Sequence, residues 1–184
     1  MGKIYDFEPE KLIIGVIYHD PRVFERAMEI LTEKFGAYDF VCREFSFSEE
    51  FSTYYDEELG GEGMRRIYSF ERLVDPAEQA DIKEYTNELE RALSGDSEGR
   101  KINLDPGFIN HGRLMLATTK PTGFRIPLKN GIHTELTLFY ARGRWNKFPW
   151  TYRDYQSEHV QNFLTQVRKK YLEQRKERKK SQKI

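Results

Sequence analysis

Two successive strand–helix–strand patterns in the first 110 residues constrain the fold more than any other feature. In the first pattern, the apolar run at residues 11–18, rich in Ile and Val, predicts a buried strand. Asp20 and Pro21 then open an amphipathic helix that ends at Gly36. The imperfect alternation over residues 38–47 predicts a second strand. Because such a helix must bury its apolar side, it is expected to lie across one face of the sheet.

The second pattern repeats the first at similar length. Residues 64–73 alternate as a strand, and Asp75-Pro76 opens a helix whose apolar positions keep a 3.6-residue period. A polar loop at residues 94–99 leads to a strand at residues 101–109. Two such units predict an α+β protein, a ferredoxin-like βαββαβ sandwich with one antiparallel sheet and both helices on the same face.

Beyond residue 110 the pattern changes to antiparallel β-hairpins. Strands are predicted at residues 113–119, 124–128 and 133–140, and Asn130-Gly131 is a strong hairpin-turn signal because both residues tolerate positive φ. A helix capped by Asp154 or Ser157 follows. We therefore predict a single domain over residues 1–184. Its parts are two strand–helix–strand units at 1–110, a β-hairpin extension at 111–156, and a C-terminal helix with a basic tail at 157–184.

Composition excludes several classes of protein. A 184-residue chain with 38% hydrophobic and 14% aromatic residues is long and apolar enough to bury a core. The single cysteine, Cys42, excludes an intrachain disulfide and a Cys-rich zinc site. No window reaches the roughly 18 apolar residues of a membrane span, and the N-terminus lacks the apolar region of a signal peptide. The sequence predicts a cytoplasmic protein with no membrane partner, and leaves its oligomeric state open.

The net charge of zero conceals two segregated segments. Residues 168–183 carry nine basic residues and two acidic ones, whereas residues 44–62, the acidic segment, carry seven acids and no base. The basic tail suggests RNA or another polyanion as a partner, and the alternative is a solvated terminal helix. The acidic segment either closes over a ligand or remains a solvated loop.

Six segments together resemble the DUF4416 family, a bacterial domain of unknown function. They are YYDEELG (54–60), IKEYTNELE (82–90), NLDPGFI (103–109), LATTK (116–120), GIHTELTL (131–138) and PWTYRDY (149–155). The resemblance covers nearly the whole chain, although the family usually has histidine-arginine at Phe124-Arg125 and tyrosine-alanine-glutamate at residues 133–135. Some members are labelled GTP-binding protein, but this chain has no GxxxxGK[ST] phosphate loop.

Hydroxyl and cationic side chains cluster at one predicted hairpin. Thr118, Thr119 and Lys120 end one strand, and Arg125 begins the next. If the strands pair, these groups meet at one rim, where they suit a phosphate or a carboxylate. The alternative is that both cations are solvated loop charges.

Three polar residues in predicted strands are candidates for chemistry. Asn103 and Asp105 project to the same side of one strand, although Asp105 could instead accept backbone hydrogen bonds in a Pro-Gly turn. Glu135 is an acid in an otherwise apolar strand, so it needs a cationic partner, and Arg125 or Lys120 is the obvious one. Asp105 and Glu135 could also join His111 and His133 as metal ligands, but the chain lacks a metal-binding motif, and we predict no metal site.

Trp150 and Tyr152 follow Pro149 closely and have two interpretations. They could stack on a ligand ring, or they could anchor the terminal helix to the sheet.

The predicted function is a binding domain for a small phosphorylated or nucleotide-like ligand, and a hydrolase or a transferase is the form it would take if it were an enzyme. Thr119, Lys120 and Arg125 would hold the anion, with Thr118 and Asn103 beside them, and Trp150 or Tyr152 would stack. Glu135 and Asp105 would act as acid and base or as metal contacts. The sequence leaves open whether the protein is an enzyme and which cofactor it would use. The alternative is a non-enzymatic RNA- or protein-binding module.

Overall fold

The structure is a computed structural model that describes residues 2–95 and 99–181. Parts of the predicted loop at 94–99 and the end of the basic tail lie outside the described residues. The strands of the described part are β1 (Glu10–Tyr18), β2 (Tyr38–Val41), β3 (Phe45–Ser46), β4 (Met64–Val74), β5 (Ile102–Ile109), β6 (Arg113–Thr118), β7 (Ile126–Pro127), β8 (His133–Ala141) and β9 (Arg144–Lys147). The helices are α1 (Pro21–Phe35), α2 (Phe47–Glu50), α3 (Asp56–Leu59), α4 (Gln79–Ser94) and α5 (Glu158–Ser181).

All of these strands join one antiparallel sheet in the order β2–β4–β1–β5–β6–β8–β7, with β3 paired to β4 and β9 paired to β8. Alternate residues of β1 serve the two faces: Leu12 and Ile14 belong to the core with α1 and α4, whereas Ile13 belongs to the core with α5. The α+β class, the antiparallel sheet and the C-terminal helix are confirmed. The ferredoxin-like sandwich stays a prediction, because the sheet is larger and α5 covers its second face.

Two predicted strands are shorter in the structure. The segment at residues 38–47 forms β2 and β3 with a break at Cys42, whose backbone N–H donates to Ile67. The segment at 124–128 pairs only through β7, because Pro127 has no N–H with which to extend the ladder. The acidic segment, in turn, is partly helical through α2 and α3.

The basic end of α5 is attached to the rest of the protein. Gln174 accepts a hydrogen bond from the buried amine of Lys11 at 3.1 Å and donates one to the carbonyl of Glu71 at 2.7 Å. Arg175 and Lys179 both form ion pairs with Glu8, at 2.6 and 2.8 Å. Gln174 and Arg175 therefore make tertiary contacts, whereas residues 176–181 are exposed, as the solvated interpretation expects.

Shortening the chain after Glu173 is expected to lower the free energy of unfolding by about 1–2 kcal/mol, because the buried Lys11 amine loses a hydrogen-bond acceptor. Urea denaturation measures the change. A chain ending at Lys179 keeps Gln174, Arg175 and both ion pairs to Glu8, and it should remain within about 0.5 kcal/mol of the full chain. Equal stability of the two shortened chains would contradict the structural role of Gln174.

Candidate functional site

The sheet opens between β5 and β6. These strands pair only from Gly107–Leu116 to Ile109–Leu114, although both extend further. Pro106, which has no N–H to donate, lies where the pairing stops. Asn103 and Asp105 from the open end of β5, and Thr118 from that of β6, line a cavity of about 620 Å³.

Three other parts of the chain close this cavity. Helix α4 contributes Lys83, Asn87, Glu90 and Arg91; the acidic segment contributes Phe47, Tyr55 and Glu58; and the segment before α5 contributes Tyr152, Asp154 and Tyr155. The acidic segment is fastened across the opening by an ion pair from Glu58 to Arg100 at 2.7 Å. It therefore forms a wall of the cavity, and its closing over a ligand stays a prediction.

Side chains of helix α4 form hydrogen bonds with the backbone of β5 in the part that does not pair with β6. The amine of Lys83 donates to the carbonyl of Leu104 at 2.7 Å, and the N–H of Leu104 donates to Oε1 of Glu90 at 2.6 Å. Both side chains are buried, and burial raises the pKa of Glu90, while Lys83 opposes that rise. The two charged side chains thus take the place of a neighbouring strand.

Arg65 of β4 is a buried residue that lines the cavity. Its Nε lies 2.9 Å from Oδ2 of Asp154, and its Nη2 donates to the hydroxyl of Tyr155 at 3.2 Å. The guanidinium crosses the β1 backbone at Gly15, where a Cβ atom would lie 2.8 Å from Nη2. Burial raises the pKa of Asp154, and the charge of Arg65 opposes that rise.

Asp105 lies between two cations. Its Oδ2 accepts a hydrogen bond from Nδ2 of Asn103 at 2.7 Å and lies 3.9 Å from Nη1 of Arg65. Its Oδ1 lies 3.6 Å from the amine of Lys83. Nη1 of Arg100 in turn donates a hydrogen bond to Oδ1 of Asn103 at 2.6 Å. The carboxylate of Asp105 is therefore surrounded by donors and cations.

Glu135 of β8 forms the ion pair with Arg125 that its sequence context requires. Its Oε2 accepts from Nε of Arg125 at 2.7 Å, and both side chains are buried. Arg125 also donates to the carbonyl of Lys120 at 2.6 Å and to the hydroxyl of Tyr152 at 2.8 Å. Burial raises the pKa of Glu135, and the hydrogen bond from Arg125 opposes that rise.

The predicted site residues are largely brought together. Seven line the cavity: Asn103, Asp105, Thr118, Thr119, Lys120, Glu135 and Tyr152. Arg125 is not a lining residue, and each of its guanidinium nitrogens already donates to a protein acceptor. Trp150 also lies outside the lining. Its Nε1 donates to the carbonyl of Leu136 at 2.9 Å, and its ring stacks between Phe124 and Phe148. That position favours anchoring over ligand stacking.

Sequence reasoning missed the buried cations Arg65 and Lys83. Each stands beside an apolar residue in a periodic segment, Lys83 next to Ile82 on α4 and Arg65 next to Met64 on β4. A charged residue at the border of an apolar pattern could have identified both, because a buried charge requires a partner nearby.

Residues 2–95 and 99–181 contain neither a metal-binding cluster nor a membrane-spanning helix. No group of three or more His, Cys, Asp or Glu side chains in this part of the chain is arranged to hold a metal ion. No helix within the same ranges has the length and apolarity needed to cross a membrane.

The buried carboxylates predict how stability depends on pH. Burial raises the folded-state pKa of Glu90, Glu135 and Asp154, so the native state holds more protons than the unfolded state above pH 4 to 4.5. Their contribution to stability is therefore present at acidic pH and is lost as pH rises through their folded-state pKa values. Urea denaturation of Glu135→Gln across pH 4.5–8 should show a shallower decline than wild type. An unchanged slope would contradict the raised pKa of Glu135.

No curated protein and no solved structure gave a significant match. The profile of the family described as Domain of unknown function (DUF4416) matches residues 8–171, which include every residue that lines the cavity. The chain therefore belongs to the DUF4416 family.

Proposed function

We propose that the protein binds a small phosphorylated ligand in the cavity between β5 and β6. The observation that carries this proposal is that Lys120 and Arg91 both line the cavity, while neither forms an ion pair within residues 2–95 and 99–181. The other lining cations, Arg65, Lys83 and Arg100, all have carboxylate partners. A phosphate group would neutralise the two remaining charges, and the hydroxyls of Thr118 and Thr119 lie beside Lys120.

The size and lining of the cavity support a ligand larger than phosphate alone. Its volume of about 620 Å³ lies within the usual range for small-molecule sites. Phe47, Tyr55 and Tyr152 supply aromatic surface for a ring, as a nucleotide-like ligand would need. Tyr54 currently contacts Lys120, whose amine lies 5.0 Å from the ring centre.

Two carboxylates in unlike surroundings support a hydrolase or transferase as the more specific form of this proposal. Glu135 is buried and its pKa is raised, which suits a general acid, whereas Asp105 is partly exposed between Lys83 and Arg65, which suits a base. The RNA-binding alternative has less support, because Arg175 and Lys179 of the basic tail are already paired with Glu8.

Titration calorimetry with inorganic phosphate, ribose 5-phosphate and AMP tests the binding proposal. Lys120→Ala and Arg91→Ala are each expected to weaken binding about tenfold, as the loss of one charge-assisted contact should. Lys169→Ala, which removes an exposed lysine of α5 outside the cavity, is the matched control and should bind as wild type does. If no phosphorylated compound binds at millimolar concentration, or if all three variants bind alike, the proposal is wrong.

A further inference from the structure

The chain from the middle of β5 to the segment before α5 carries a large excess of positive charge. Residues 106–153 contain eight basic side chains and a single acid, Glu135, which is buried and paired with Arg125. Two further bases, Arg113 and Lys129, are paired with acids of other segments. The other five are exposed and form no ion pair within residues 2–95 and 99–181: Lys120, Arg142, Arg144, Lys147 and Arg153. Only the first of these lines the cavity, so four unbalanced cations face solvent elsewhere.

The layer of α1 and α4 does not reach the outer end of the β8–β9 hairpin. Leu138 and Trp145 belong to the core with α5. Phe139 and Arg144 are their neighbours along β8 and β9, and they therefore project from the opposite face of the sheet. The core with α1 and α4 lies on that face, but it includes no described residue of β8 or β9. Phe139 is accordingly 38% exposed.

Phe139 is the last member of a row of four aromatic rings. Its ring centre lies 5.2 Å from that of Phe148, and Trp150 and Phe124 continue the row at 5.0 and 4.7 Å. Trp150 is within 4° of parallel to Phe148 and within 10° of parallel to Phe124, so their faces cover one another. Phe139 is inclined at 51° to its neighbour. It is therefore the member of the row that can offer a ring face to a ligand.

Two of the unbalanced cations lie close to this ring along the chain. Arg142 is in the turn between β8 and β9, and Arg144 pairs with Ala141, two residues beyond Phe139 on β8. Arginine binds phosphate through a planar fork of donors, and an aromatic ring stacks on an unpaired base. A nucleic acid duplex or an acidic peptide could use the cations, but neither presents an unstacked base to the ring.

We propose that the outer surface of the β8–β9 hairpin binds single-stranded nucleic acid, with phosphates at Arg142 and Arg144 and a base stacked on Phe139. This function is additional to ligand binding in the cavity, because none of these three residues lines the cavity. The surface is also separate from the basic tail of α5, on which the RNA-binding alternative depended.

Fluorescence anisotropy tests the proposal with labelled oligouridine and oligothymidine of twelve nucleotides and with an RNA duplex of twelve base pairs. Wild type is expected to bind at least one of the single strands about tenfold more tightly than the duplex, because only a single strand can place a base on Phe139. The tighter of the two single strands identifies RNA or DNA as the ligand.

Three variants separate phosphate contacts from base contacts. Arg142→Asn with Arg144→Gln should weaken single-strand binding about tenfold or more, and should reduce the slope of log K against log salt concentration by about 1.4. Asparagine is chosen because Arg142 has a φ of 53°, which asparagine tolerates. Phe139→Leu should weaken binding about tenfold with an unchanged salt slope, since leucine keeps the apolar contact but cannot stack.

The matched control, Lys176→Gln with Arg178→Gln, removes two exposed cations from the basic tail and should bind within about twofold of wild type. Circular dichroism confirms that each variant is folded.

Several results would overturn the proposal. Tighter binding of the duplex than of either single strand would show attraction by charge alone, and so would displacement of the single strand by an equal concentration of a twelve-residue glutamate peptide. Equal losses in the hairpin and tail variants would place the site elsewhere. Failure of both single strands to bind overturns this inference and leaves ligand binding in the cavity unaffected.

Discussion

Replacing Arg65 by methionine is expected to lower the free energy of unfolding by about 3–5 kcal/mol, which is the usual cost of removing one partner of a buried ion pair. The side chains of Arg65 and Asp154 are only 3% and 4% exposed, and their closest charged atoms lie 2.9 Å apart. Without the guanidinium, the buried carboxylate of Asp154 has no cation beside it within 4 Å among the described residues. Urea denaturation at pH 7 measures the loss.

A second variant distinguishes lost charge balance from lost packing. Arg65→Met with Asp154→Asn leaves no buried charge unpaired, and it should recover more than half of the loss. The single variant should also be less destabilised at pH 4 than at pH 7, because protonation of Asp154 removes the unpaired charge. A loss below about 1 kcal/mol, or no recovery in the double variant, would contradict this account.

Replacing Gly107 by alanine is expected to cost about 3 kcal/mol, at the upper end of the range for overpacking. A Cβ atom at Gly107 would lie 2.6 Å from both Cδ2 of Leu116 and the carbonyl oxygen of Met115. Because the second of these is a backbone atom, relief requires β6 to move away from β5. Gly107–Leu116 is the last pair before the strands separate, so the cavity should widen as well.

Gly112→Ala is the matched control for this prediction. Gly112 lies in the same β5–β6 hairpin, and a Cβ atom there would come no closer than 3.9 Å to its neighbours. Its substitution should change stability by about 0.5 kcal/mol or less. Urea denaturation compares the two variants, and similar stability losses would show that close approach of β6 at Gly107 is unimportant.

Periodicity alone was enough to predict the main elements. The 2-residue and 3.6-residue patterns located β1, α1, β4, α4 and β5, and the Asn130-Gly131 signal located the turn before β8, where Asn130 has a φ of 55°. Strong local signals of this kind do not depend on which strands become neighbours. The need of a buried acid for a cation likewise predicted that Glu135 pairs with Arg125 or Lys120, and the structure shows the pair with Arg125.

The separation of β5 from β6 could not be predicted in the same way. It depends on where a ladder stops, and residues 102–106 alternate as any paired strand would. The bulge that leaves Thr137 of β8 without a partner on β6 is equally invisible, since one extra residue shifts the register without altering composition. Arg65 and Lys83 line the cavity from β4 and α4, which were predicted as a strand and a helix with no role in the site. The predicted site therefore lacked both residues.

The closure of β5 by α4 has a consequence for how the protein behaves at high concentration. A strand that loses its neighbour normally offers free N–H and C=O groups to strands of other molecules, which leads to aggregation. At Leu104, Glu90 occupies the N–H and Lys83 occupies the C=O. The opening in the sheet therefore offers a small molecule access without giving another chain a free strand edge at Leu104. Variants that lose the side chains of both Lys83 and Glu90 should form fibrils or amorphous aggregates more readily than wild type.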